Sequence, residues 1–175
     1  MNARRTRQAH CIGIVLTCAL LITCSTALRA DEKKKDAPAT PLEAIRAMEG
    51  TWVKQGPGMQ GTIIFKTTAK GSTVMETMFP GSPMEMMNAY HMDGDNLMVT
   101  HYCAGGNQPR MKLVKNEGGV MQFDFVDVTN LKNPGDGCMG RLVLKIEGDN
   151  LTESWVTKKG DAYEDHVVIN LKKQG

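Results

Sequence analysis

The chain has 175 residues, of which 41% are hydrophobic and only 5% aromatic, with a formal net charge of +2. That charge sits in residues 1–30, which hold four Arg and no acid; the rest carries 17 basic and 19 acidic residues, a net of −2. No basic patch is interleaved with aromatics, which argues against a nucleic-acid partner.

Residues 1–30 read as a secretory signal peptide. Arg4, Arg5 and Arg7 form a basic start, and the apolar run from Cys11 to Thr23 has the length of a signal core. The run is too short for a membrane span of about 20 residues, so no transmembrane segment is expected in the processed chain. Cleavage is expected after Ala30, just before the charged tail "DEKKKD". The competing reading is a lipid anchor on Cys24, since "LITC" has the outline of a lipobox. Either way the chain is expected to be exported, periplasmic or secreted. Residues 31–41 are charged and rich in Pro and Ala, the composition of a disordered linker. Residues 42–175 then form one domain of ordinary size.

Thr40, Pro41 and Glu43 make a capping box with Pro at the first helical position, so "PLEAIRAM" is expected to be a short helix. From there on, short runs alternate with Gly, Asn, Asp and Pro turns about every ten residues. Ten strands are expected: 51–55, 60–67, 72–79, 85–92, 97–103, 110–116, 120–127, 140–147, 151–157 and 163–172. Short hairpin links make this an up-and-down antiparallel meander. A meander of that length removes its exposed edges by closing, so the fold class is an all-β barrel preceded by one helix.

The segment "EGTWV", Glu49 to Val53, resembles the Gly-x-Trp start of the calycin superfamily, the lipocalin-like barrels. Ten strands without a helical lid resemble the nitrobindin and fatty-acid-binding branch more closely. That resemblance implies a barrel that holds a small apolar or amphipathic molecule. Lipocalins commonly lay an Arg from the end of the last strand over the Trp; this chain has Lys172 and Lys173 there. "THYCAGGNQPRM", Thr100 to Met111, also resembles segments of exported bacterial proteins, which implies no activity.

Alternation gives the inward faces. Pairing outward from the "DGDN" turn sets Tyr90 opposite Val99 and Asn88 opposite His101, with Cys103 on the same inward face. The expected lumen lining is Trp52, Tyr90, His101, Phe123, Phe125, Glu153 and Trp155. Cys103 and Cys138 are the only cysteines after residue 30. In an oxidising compartment they are expected to form a disulfide. The alternatives are a metal or haem barrel using His101, Cys103 and Cys138, or a buried pair of free thiols. His166 falls on the outward parity of its strand, against a role as a haem ligand. The chain's methionines, four of them in "SPMEMMNAYHM", suit an irregular core or an adaptable cavity better than a copper carrier. No Gly-x-Ser-x-Gly, HExxH or phosphate loop occurs, and His101 and Cys103 project in parallel from one strand. No catalytic residue, metal or cofactor is therefore assigned. The expected function is that of an exported barrel binding a small ligand in a mostly apolar lumen, with a small barrel enzyme as the remoter reading.

Overall fold

In a computed structural model, the described residues are 40–175 except positions 59 and 134. The expected signal peptide, the Cys24 anchor and all but the end of the linker lie outside them. Helix α1 (Pro41–Arg46) opens the domain with its capping box complete. The Glu43 amide donates to Thr40 Oγ1, and the Thr40 amide donates to the Glu43 carboxylate at 3.0 Å. Ten strands follow: β1 (Gly50–Lys54), β2 (Thr62–Thr68), β3 (Thr73–Met78), β4 (Met86–Asp93), β5 (Asn96–Tyr102), β6 (Gln108–Glu117), β7 (Val120–Thr129), β8 (Cys138–Glu147), β9 (Asn150–Lys159) and β10 (Ala162–Lys173). Each pairs antiparallel with its chain neighbours, and β1 pairs with β10, so the sheet closes into an up-and-down barrel with no free edge.

The register follows from the turns. "DGDN" sets Tyr90 opposite Val99 and Asn88 opposite His101, as the alternation implies. Four bulges interrupt the alternation elsewhere, two in the β6–β7 pair and one each in the β8–β9 and β9–β10 pairs. The last leaves His166 unpaired between Asp165 and Val167.

One end of the barrel is packed solid. α1 lies against β2, β3 and β4 and sends Ile45 and, just past its end, Met48 into the core. Trp52 on β1 is buried and donates its indole N–H to the Met48 carbonyl at 2.8 Å, which ties strand to helix. The Lys173 ammonium lies over the Trp52 ring, 5.4 Å from its centre. Phe65, Tyr90 and Phe123 continue the packing, with ring centres 6.4 and 5.8 Å apart along the series.

Candidate functional site

The other end is hollow. It is made by the ends of β1, β3, β5, β7 and β9, the starts of β2, β4, β6, β8 and β10, and the loops between them. A cavity of about 450 Å³ opens there. Its wall is thioether and hydrocarbon: Met78, Phe79, Met84, Met86, Met139 and Ile169. Four methionines in one wall give a surface that can repack around differently shaped occupants. Phe79 holds a left-handed backbone (φ 52°) at the end of β3. Its ring covers Gly61, where a Cβ would come within 2.7 Å of the ring edge. Only glycine leaves room for the ring in that position.

His101 from β5 and Trp155 from β9 come from opposite walls and meet at the cavity floor, with ring centres 4.8 Å apart. Beneath them the alternation repeats. Two residues deeper than Met78, Met86 and Trp155 lie Glu76, Asn88 and Glu153, all fully buried. Asn88 Nδ2 donates to Glu76 Oε2 at 2.8 Å, and the Tyr90 hydroxyl donates to the same oxygen at 2.6 Å. Asn88 Oδ1 faces His101 Nδ1 at 2.7 Å. Trp155 Nε1 donates to Glu153 Oε2 at 3.3 Å.

The remaining oxygens, Glu76 Oε1 and Glu153 Oε1, are buried with no hydrogen-bond partner, and the two carboxyls influence each other's ionisation. Two carboxyls buried in one site favour the state in which the pair keeps a proton. Burial lifts Glu76 from 4.5 to about 7, partly opposed by the donors Tyr90 and Asn88. Burial, reinforced by the Glu76 charge, pushes Glu153 well above the usual carboxylate range. Burial also drives His101 from 6.5 down to about 4, so the imidazole is neutral at ordinary pH.

Of the residues read from the sequence as lining, His101 and Trp155 face the cavity. Tyr90 and Glu153 stand directly behind that floor, and Trp52 and Phe123 belong to the packed core. Phe125 is half-buried, paired with Met111, with the Lys158 ammonium 5.4 Å from its ring centre. Cys103 and Cys138 are free thiols at the open end, not the expected disulfide. The Cys103 sulfur is engaged locally, accepting from the Gly105 amide at 3.4 Å across the tight turn after β5. Burial raises the Cys138 thiol, with Lys158 opposing and Cys103 adding to the shift. Among the described residues no three His, Cys, Asp or Glu gather as a metal site, so His101, Cys103 and Cys138 do not form the ligand set considered from the sequence. His166 is exposed, as its parity implies, yet its bulge brings it to the cavity mouth.

Glu76 was legible and was missed: in "TVMETM" it shares the inward parity of Val74 and Met78. The loop residues Phe79 and Met84 carry no periodic signal. No protein-family model matches the chain, and a search of the curated proteins finds no match.

Proposed function

We propose that this chain is an exported, calycin-like barrel that takes a small apolar or amphipathic molecule into its open end. The carrying observation is the asymmetry of the lumen. One end is packed solid, while the other keeps a cavity of about 450 Å³, the size of a small-molecule site, with a hydrocarbon wall and a few polar groups at its floor. A protein that needed the barrel only as a scaffold would gain stability by filling that space.

The neutral fluorophore N-phenyl-1-naphthylamine tests this. Its emission should rise and saturate at one molecule per chain, with quenching of Trp155. Gly105→Trp should abolish the signal. A Cβ at Gly105 meets Cys103 and Asn107 only at ordinary contact distances of 3.6 and 3.8 Å, so the indole occupies the mouth without unfolding the loop. Equal binding by both proteins would show that the fluorophore uses another surface. Export is tested separately: intact mass of the exported chain should start near Asp31, whereas a diacylglyceryl adduct on Cys24 would show the lipoprotein route.

A further inference from the structure

The geometry points to an occupant that enters head first and presents a hydrogen-bond donor, a hydroxyl or N–H, to Nε2 of His101, and it points away from carboxylates. This rests on the ligand-binding reading and adds the chemistry of the head group.

The direction of each hydrogen bond fixes the next. Glu76 Oε2 accepts from the Tyr90 hydroxyl and from Asn88 Nδ2. The amide of Asn88 is thereby oriented with its NH₂ toward the carboxyl and its oxygen toward the imidazole. Asn88 Oδ1 can only accept, so His101 Nδ1 carries the proton in the 2.7 Å contact. The other ring nitrogen, Nε2, then holds a lone pair. Among the described residues nothing donates to it, and the ring lies on the cavity floor. A neutral imidazole with that tautomer is an acceptor at the bottom of an apolar pocket, and an acceptor left unmatched there costs affinity.

A carboxylate finds the opposite of what it needs. Among the described residues no Lys or Arg is buried in the barrel. Lys54 reaches the mouth, but its ammonium donates to the Gln55 and Pro57 carbonyls, at 3.3 and 2.8 Å. Behind His101 stand two buried carboxyls, so an anion on the cavity floor meets an acceptor, while Lys54 and His166 stand only at the mouth.

A matched series separates the head group from the ring: 1-naphthol, 1-methoxynaphthalene and 1-naphthoate, each competed against N-phenyl-1-naphthylamine on the full chain at neutral pH. Naphthol should displace best. The ether, which sets its own acceptor against Nε2, should be about tenfold weaker or more, since it leaves a buried acceptor unpaired. Naphthoate should be weaker than naphthol by at least as much. His101→Phe keeps a ring beside Trp155 and removes both nitrogens, so it should bring naphthol and its ether to within about twofold. Equal binding of naphthol and ether by the unaltered protein, or tighter binding of naphthoate, overturns the head-group inference and leaves the ligand-binding reading standing. If neither the fluorophore nor any of the series binds, both fall. Should His101→Phe not fold, the unaltered protein's ranking still decides.

Discussion

The two ends of this barrel are built from the same ten strands and carry opposite signatures. At the closed end the inward positions hold large apolar side chains, a helix covers them, and the one polar atom of Trp52 is satisfied by Met48. At the open end the inward positions change within two residues from hydrocarbon to Glu76, Asn88, His101 and Glu153, and the space above them is left unfilled. The closed end is where the fold's stability is concentrated. The open end holds buried carboxyls and an unfilled volume, both of which cost stability, in the arrangement of a site.

Substitutions should separate the two. The largest effect is expected from Trp52→Ala, which empties a fully buried indole position, strands the Met48 carbonyl and removes the surface under Lys173. A loss of about 3–5 kcal/mol is expected in chemical denaturation. An unchanged midpoint would mean that the helix-capped end is not the stable one.

Next in size is the carboxyl pair. A carboxyl whose native pKa is raised contributes most below its unfolded pKa, and that contribution is lost as pH rises. For Glu76 the window runs from 4.5 to about 7, and Glu153 extends it upward. His101 works the other way: its burial as a neutral ring costs stability as pH falls from 6.5 toward 4, where the unfolded chain takes up a proton and the native one does not. Glu153→Gln keeps the acceptor for Trp155 Nε1 and offers an N–H to Glu76. It should raise stability at pH 8, a gain that shrinks toward pH 5. Denaturation curves for both proteins at the two pH values measure this, and a gain independent of pH would rule out a proton held by the pair.

The third concerns the thiols. With both cysteines free, Cys103→Ser removes no crosslink and should cost no more than about 1 kcal/mol. Alkylation followed by peptide mapping should label the half-buried Cys103 before the buried Cys138. A loss of about 3–4 kcal/mol on removing Cys103 from protein prepared without reductant would instead reveal a bond closing the intervening loop, and the open end would then be tied as firmly as the closed one.

What could be read in advance divides along the same line. The capping box, the ten strands and the Asn88–His101 register follow from local rules of period two and turn chemistry, and the structure obeys them because each barrel wall has one inner face. Trp52 and Phe123 were read as lining because parity reports which way a side chain points, not how far along the lumen it lies. Depth comes from the stagger of ten strands around a closed ring. His166 reaches the mouth through a bulge, which shifts the alternation by one without a mark in the sequence. The Cys103–Cys138 bond is expected from compartment, count and a shared inward parity, and none of these supplies the distance and dihedral geometry a disulfide requires.

The smallest effect on stability should come with a clear effect on binding. Met84 lies on the lip, 46% exposed, and also lines the cavity. In the empty protein its side chain already meets water, so Met84→Ala should shift stability by less than about 0.5 kcal/mol. With N-phenyl-1-naphthylamine bound, the same thioether would cover apolar surface, and about 1 kcal/mol of that contact corresponds to roughly fivefold weaker binding. Parallel denaturation and fluorescence titrations read the two quantities on one variant. Trp52→Ala, where it folds at low temperature, should show the reverse pattern of a large stability loss with little change in affinity. If Met84→Ala left affinity unchanged while stability fell, the lip would be part of the packed scaffold, and the open end would not be the entrance.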